Sequence, residues 1–586
     1  MLGYQNKVLR IDLTNRNKSV EALNMEWAKK YIGGKGLGIK YIYEELKPGT
    51  DPLSSENKMI LMTGPFTGTT VPCSGKLAII SRSPATGTIL DCSIGGHVGA
   101  ELKYAGYDAM ILEGACDSPS YLFLEDDKLQ FLSAEGLWGK GAHEVETELQ
   151  KRHGRDSKVL CIGPAGENLV TMACINSEYY RQAGRGGIGA VMGSKMLKAI
   201  VIKGTGGVKV ANIGETLNKV NEIMRNDTLT DANLWAYTDG TPMIVDMSQG
   251  AGILPTRNFQ DGTFEFSAGI NSESMQKSRS GKKGCHSCGL GCGNFTKIGD
   301  AVVEGPEYET LALCGSNCAI GDLGAVVKFN QLCDDFGVDT ISAGNTTAFA
   351  MELTEKGIKD FGLQFGDVDA YLAVPEKIAR KEGIGAELAL GAKGLARKYG
   401  GQDFAMEVKG LEFPGYEPRG SWGMGLAYAT SDRGACHMRA WPVAQEAYGD
   451  VDCFTIEGKA QMVAELQHYN SVKFSTILCD FWALSLDTLA EVLNQVTGES
   501  FTAADMEKIG ERVTNIARLF NMREGFRRED DYLPNRIFKD ALKSGAAAGK
   551  TIPKEEFEKM LSEYYTIRGW EADGSISQSK IEELEI

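Results

Sequence analysis

Leu9, Ile11 and Leu13 alternate with polar neighbours, the two-residue period of a strand with one buried face. Short apolar runs follow at 59–62, 77–80, 109–112, 121–124, 159–162 and 199–202, most of them bounded by Gly, Pro, Ser or Asp, as strands are. Within this stretch 142–152 has the apolar spacing of a helix, and long helical patterns are otherwise few. After Gly206-Gly207 the period changes: 213–225, 323–336, 370–382 and 506–523 repeat apolar residues at helical spacing. The change predicts an α+β chain with a β-rich N-terminal domain over 1–208. The Pro/Gly-rich passage from Phe413 to Gly420 marks a softer second boundary, separating mainly helical domains at 209–410 and 411–586. The acidic, Ser-rich stretch after Asp573 reads as the one disordered tract.

Length supports this division, because 586 residues exceed what one hydrophobic core serves. Apolar (42%) and charged (24%) residues stand at ordinary globular levels, but a net charge of −16 excludes a non-specific nucleic-acid binder, which needs a basic face. The first residues lack a basic segment followed by an apolar one, and no apolar run is long enough to span a bilayer. A cytoplasmic protein with no membrane partner is therefore expected. Its 14 cysteines should be reduced or metal-bound. Cys73, Cys92, Cys116, Cys161, Cys174 and Cys453 are scattered, as small core residues are.

One group is different. Cys285-His-Ser-Cys288-Gly-Leu-Gly-Cys292 places three thiols within eight residues, with glycines at 284, 289, 291 and 293 that let the loop fold round a metal centre. Three ligands complete neither a [4Fe-4S] cube nor a structural zinc site, so a distant residue must supply the fourth. His286 is too near in the chain to do so, and no second C-x2-C follows, as a zinc ribbon requires. The spacing favours iron–sulfur and leaves zinc as the alternative. Lys277, Arg279, Lys282 and Lys283 precede the loop, a local positive run that is either a solvated loop or a means of steering an acidic electron carrier.

Three glycine-rich stretches lie in the β-rich region, at Gly33–Gly38, Gly95–Gly99 and Gly184–Gly189. The last matches G-x-G-x-x-G, but Ser177-Glu-Tyr-Tyr-Arg-Gln precedes it and 200–210 carry no carboxylate, so NAD is rejected. Loops without Cβ atoms, with Arg181 and Arg185 beside one of them, suit close approach to a large phosphorylated cofactor; tight turns are the plainer reading.

Several passages carry a resemblance over essentially the whole chain. They are Gly64-Pro-Phe-Thr-Gly68, Gly99-Ala-Glu-Leu-Lys-Tyr-Ala-Gly-Tyr-Asp108, Gly163-Pro-Ala-Gly-Glu-Asn168, Ala183-Gly-Arg-Gly-Gly-Ile-Gly-Ala-Val-Met-Gly-Ser-Lys195, Glu304-Gly-Pro-Glu-Tyr-Glu309 and Asp334-Asp-Phe-Gly-Val-Asp339. With the cysteine loop and Tyr564-Tyr-Thr-Ile-Arg-Gly-Trp570, the chain resembles the aldehyde ferredoxin oxidoreductase family. The resemblance implies a β-rich base holding tungsten or molybdenum between two pyranopterin dithiolenes, with no protein ligand to the metal, covered by two helical domains. It implies a [4Fe-4S] cluster on Cys285, Cys288, Cys292 and the distant Cys479, and Mg2+ linking the pterin phosphates. Pterin contacts fall on Gly95, Arg181, Gly184, Arg185, Asp334, Val338, Asp339, Arg433 and Leu478.

This chain departs from the family at several points. Lys76 stands where an Arg bridges pterin and cluster, which keeps the charge but loses the fork. Arg439 replaces a common Lys, Ser93 an Asn, and Gln182 a small residue near the Mg2+. The second pterin motif, Asp-x-x-Gly-Leu-Cys, reads Thr476-Ile-Leu478-Cys479 after Phe474-Ser475, so its Asp is missing and Asp480 is a candidate substitute. The Glu-x-x-His of members with a dimer-bridging iron reads Lys328-Phe-Asn-Gln331, so a homo- or hetero-oligomer would lack that iron.

By resemblance Glu309 and His437 lie near the metal, with Glu309 accepting a proton and His437 stabilising charge on the substrate oxygen. The implied reaction oxidises an aldehyde to a carboxylic acid and passes electrons through the cluster to ferredoxin or a small iron–sulfur subunit. Reduction of an activated acid or aryl-CoA thioester on the same scaffold, and an electron-transfer subunit of a larger complex, are the competing readings.

Overall fold

A computed structural model describes residues 1–299 and 301–586. Two six-stranded sheets build the N-terminal third. The first runs Asn17–Ala22, Lys7–Asp12, Ala109–Glu113, Met59–Met62, Leu77–Arg82, Ile89–Ile94; the second runs Arg181–Ala183, Ile175–Ser177, Lys158–Cys161, Leu197–Lys203, Ser120–Glu125, Lys128–Ser133. Every strand-like run seen in the sequence lies in one of them. Strand alternation decides how the sheets bury themselves. Leu9, Ile11, Leu61 and Ile79 point between the sheets and share a core with Leu122, Leu160 and Ile200. Val8, Ile60, Ile80 and Ile111 point the other way, into a core shared with helix Ala503–Arg523. Helix Ala142–His153 covers the outer face of the second sheet over Tyr121, Val159 and Ala199.

Helices dominate the rest, and the chain is α+β as expected, with 44% helix and 15% strand. Leu323–Phe336 forms as one helix, whereas 370–382 is divided into Val368–Leu372 and Val374–Arg380, the second opening with Pro375 in its first turn, where a missing N–H costs nothing. The apolar cores run across the chain's regions: one joins Val8 and Ile111 to Val472 and Phe520, another joins Val170 and Met172 to Phe259, Tyr428 and Trp570. No single helix among the described residues is long and apolar enough to cross a membrane.

Two expectations are corrected. The stretch at Gly33–Gly38 is not a loop or a tight turn. It opens the helix Gly34–Glu45, which is buried from Gly34 to Ile42. Its glycines serve close packing: a Cβ on Gly38 would collide with Ile80, and one on Gly34 with the carbonyl oxygen of Phe474. Helical periodicity was masked because the helix is buried from Gly34 to Ile42, with glycines at some contacts and Leu37, Ile39, Tyr41 and Ile42 in the core at others, so no polar face sets off an apolar one. The segment after Asp573 is ordered, not disordered. Gln578–Leu584 is helical, Leu584 is buried, and its carbonyl accepts 2.6 Å from Arg512 Nε.

Gly34→Ala should lower stability by about 1–3 kcal/mol, the usual cost of overpacking, since the obstacle is backbone and φ is +40°. Thermal unfolding would show this as a fall in Tm; an unchanged Tm would mean that helix Lys459–Thr476, which carries Phe474, yields freely.

Candidate active site

The edge strands of the two sheets, Ile89–Ile94 and Arg181–Ala183, lie side by side. Ser83 Oγ donates 2.7 Å to the Gly186 carbonyl, and Cys92 Sγ lies 3.0 Å from the Arg185 carbonyl. Four pieces of the helical region close on this seam: the Asp334–Asp339 helix junction, the 431–439 loop, the chain leaving helix Lys459–Thr476, and the cysteine loop.

The cysteine loop is seated by backbone bonds. His286 N donates to Gly96 O (3.0 Å) and Cys73 N to Ser287 O (3.1 Å). Cys479 N donates to Cys73 O at 2.9 Å, which brings the distant thiol to the loop. Cys285, Cys288, Cys292 and Cys479 all keep partial exposure while most other cysteines are buried. Burial pushes the Cys479 thiol up to about 11 against the pull of the Lys76 ammonium, with Cys285 adding to the rise. Burial also raises Cys292, helped by Glu307 and Cys479. Cys73 is buried, as a core residue should be, yet its sulfur is 3.9 Å from that of Cys288. Its placement against the loop was invisible in sequence. No three His, Cys, Asp or Glu side chains among the described residues converge closely enough to hold a single ion.

Gly95 joins the thiols to the seam. A Cβ there would lie 3.0 Å from Cys285 Sγ and 3.4 Å from Arg181, so glycine lets these side chains approach closely. Arg181 stacks on Tyr180 at 5.1 Å and lies 3.9 Å from Glu304, but its Nε and Nη2 are buried without partners. Ser93 lies on the first edge strand and Gln182 on the second, where Gln182 Nε2 donates 2.7 Å to Asp334. Burial holds the Asp334 carboxyl well above the usual range, with Asp335 adding to it. Gly184 leaves open space, its nearest neighbour being Asp339 at 3.8 Å. Asp339 caps helix Thr340–Glu355 through Ile341 N and Ser342 N, and Val338 is fixed by a bridge to Ala173.

The other arginines are engaged by protein groups. Arg185 donates to the carbonyls of Ala435 (2.8 Å) and Glu412 (2.5 Å). Arg433 donates to Asp91 O at 2.7 Å and to Cys436 Sγ at 3.0 Å. Arg439 pairs with Asp432 (2.7 Å) and Asp91, while Lys35 pairs with Asp432. Sequence reasoning missed Asp91, Asp432 and Lys35, which hold Arg439 in place; a buried Lys inside a glycine-rich stretch was the available signal. Lys76 pairs with Asp480 and lies 5.7 Å over the Phe474 ring, with Arg439 at 5.9 Å from the same ring. Phe474 thus stands between two cations where the family's Asp would be. Leu478 is buried just before Cys479, after Ile477 turns the chain at φ +66°.

Glu309 and His437 meet. Glu309 Oε1 is 3.5 Å from His437 Nδ1, while its Oε2 accepts from Gly415 N at 2.8 Å. Burial pushes the Glu309 carboxyl up to about 8, partly offset by the Gly415 N–H. Burial first, and Arg185 next, pull His437 down to about 3. Each side chain nevertheless keeps 17% of its surface open. Desolvated groups with open surface must face an internal space. Aromatic rings wall it: Tyr416 lies 5.7 Å from His437, Tyr308 5.1 Å and Trp441 5.8 Å from Tyr416, and Tyr448 5.8 Å from Trp441. These rings also went unread in the sequence, where their spacing has no period. A desolvated carboxyl and a neutral imidazole side by side can exchange a proton with each other and with a bound molecule.

The profile of "Aldehyde ferredoxin oxidoreductase, N-terminal domain" matches residues 8–204, and that of "Aldehyde ferredoxin oxidoreductase, domains 2 & 3" matches 215–586. The chain is 40% identical to the tungsten-containing aldehyde ferredoxin oxidoreductase of Pyrococcus furiosus, covering 100% of this chain and 99% of the relative. It is 28% identical to the aliphatic sulfonate oxidoreductase, WOR-like subunit, of the same organism, covering 100% and 97%. Among solved structures, the active-site complex BamBC of benzoyl coenzyme A reductase shares the fold, with a TM-score of 0.87 at 24% identity over 100% of this chain and 97% of that one.

Proposed function

The chain belongs to the aldehyde ferredoxin oxidoreductase family, and from that premise we propose that it oxidises aldehydes to carboxylic acids at a tungsten bis-pyranopterin centre in the space beside Glu309 and His437. The base at 1–208 and the helical regions 209–410 and 411–586 would enclose it. The observation that carries this reading is the Glu309–His437 pair, 3.5 Å apart in a desolvated, aromatic-walled space. The seam fits the cofactor: Arg181 offers two unpartnered buried N–H groups, and Gly184, whose Cβ position meets only Asp339 at 3.8 Å, is open to backbone approach. Ser93 and Gln182 would border the Mg2+, with Asp334, Val338, Asp339, Arg185, Arg433, Arg439 and Leu478 around the pterins.

When bound, the tungsten supplies two-electron redox chemistry and Lewis acidity. The reaction it serves is RCHO + H2O → RCOOH + 2H+ + 2e−. Glu309 holds a released proton on Oε1, for which its raised affinity suits it. His437 is neutral at working pH because its affinity is so low. With its Nδ1 accepting from protonated Glu309, its Nε2–H donates to the substrate oxygen as charge develops there. The aromatic wall keeps bulk water out and accepts an uncharged aldehyde. Cys285, Cys288, Cys292 and Cys479 would hold a [4Fe-4S] cluster beside Lys76. Electrons would leave through the cluster to ferredoxin or a small iron–sulfur subunit.

Elemental analysis of anaerobically purified protein should give about four Fe and one W per chain, and the protein should reduce benzyl viologen with an aldehyde. Zinc without iron, or activity with an aryl-CoA thioester and none with aldehydes, would overturn the reading.

A further inference from the structure

Cys73 reads in the sequence as a scattered core cysteine, but the fold seats it between the cysteine loop and Cys479. Its N–H donates to the Ser287 carbonyl at 3.1 Å, its carbonyl accepts from Cys479 N at 2.9 Å, and its sulfur lies 3.9 Å from Cys288 Sγ. The residue is buried, 2% exposed. Its backbone stands in the left-handed region, at φ +58°, where residues with a Cβ are uncommon and glycine is at ease. The two backbone bonds use that turn and need no side chain, so they leave the thiol itself unexplained.

The sulfur contact explains it. A cysteine bound to iron is a thiolate, an acceptor with no proton of its own. The four terminal ligands of a [4Fe-4S] cube diverge from its corners, so two sulfurs in contact do not serve two corners. With Cys288 as the ligand, Cys73 stands outside the ligand set as a neutral thiol with one S–H to donate. Its chemistry differs from that of Lys76, whose ammonium acts on Cys479 as a charge. The Cys73 thiol supplies a donor at Cys288 and adds no charge.

We propose that Cys73 donates its S–H to the sulfur of Cys288 and thereby raises the reduction potential of the cluster. This rests on the iron–sulfur reading above. Reduction adds one electron to the cluster, and part of the added charge falls on the ligand sulfurs. A hydrogen-bond donor at one of those sulfurs stabilises the reduced state more than the oxidised one. Cys73 touches neither iron nor substrate and acts through Cys288. Its effect is on how readily the cluster takes each electron released in aldehyde oxidation.

The test compares anaerobically purified wild-type, Cys73→Ala and Cys73→Ser holoprotein by redox titration, with the electron paramagnetic resonance signal of the reduced cluster as readout. Iron content should be equal in all three. At the wild-type midpoint, the ratio of reduced to oxidised cluster in Cys73→Ala should fall by up to about tenfold, a shift of about 59 mV for one electron. Cys73→Ser, whose hydroxyl also donates, should lie between Cys73→Ala and the wild type. Electron–nuclear double resonance in H2O and D2O should show one exchangeable proton coupling fewer in Cys73→Ala. A wild-type potential and an unchanged set of exchangeable protons in Cys73→Ala would overturn the proposal and leave the iron–sulfur reading intact. Loss of iron in Cys73→Ala would overturn it by making Cys73 a ligand. A wild-type protein with no cluster signal would sink the iron–sulfur reading itself, and the proposal with it.

Discussion

Glu309→Gln is expected to lower kcat/KM for aldehydes by roughly 10²–10⁴-fold, the range for loss of a positioned proton acceptor. Tungsten and iron contents should stay at wild-type levels, because Glu309 bonds only Gly415 N and faces His437. The pH profile gives an independent reading. Burial raises Glu309 to about 8, so below that pH the group is protonated and cannot accept a proton. Wild-type kcat/KM should therefore rise with pH toward about 8 and level off above it. His437, pulled down to about 3, stays neutral across this range and adds no limb. The Glu309→Gln variant should lose the rise. Full turnover and an unchanged limb in that variant would remove Glu309 from the chemistry.

Cys479→Ala should abolish the cluster. Iron should fall from about four per chain to near zero, and the electron paramagnetic resonance signal of the dithionite-reduced protein should vanish, along with viologen reduction. The contrast that makes this specific is Cys73→Ala. Cys73 lies 3.9 Å from Cys288 and bonds Cys479 through its backbone, which an Ala retains. That variant should keep its iron. If Cys73→Ala loses iron and Cys479→Ala does not, the ligand set is Cys73, Cys285, Cys288 and Cys292.

The strands were readable because each carries its own burial pattern: 59–62, apolar throughout, is buried throughout. The long helix at 323–336 was readable for the same reason. The helix Gly34–Glu45 was not, because every residue from Gly34 to Ile42 is buried and no polar face sets off an apolar stripe, while glycines stand where its neighbours come closest. The tail after 573 was misread because its order depends on Arg512, far away in sequence, which a local composition cannot report.

The candidate site divides in the same way. The sequence by itself determined the three-thiol loop, the need for a fourth ligand from a distant residue, and the family to which the chain belongs, since these depend on residue type and spacing. Only the tertiary structure decided that Cys479 reaches the loop through Cys73, that Lys76 pairs with Asp480 where the family's Asp is absent, and that Glu309 faces His437. Proton affinity followed the same rule. One carboxyl among 78 acidic side chains has no distinction until burial withdraws water from it, and burial is a property of the packed fold.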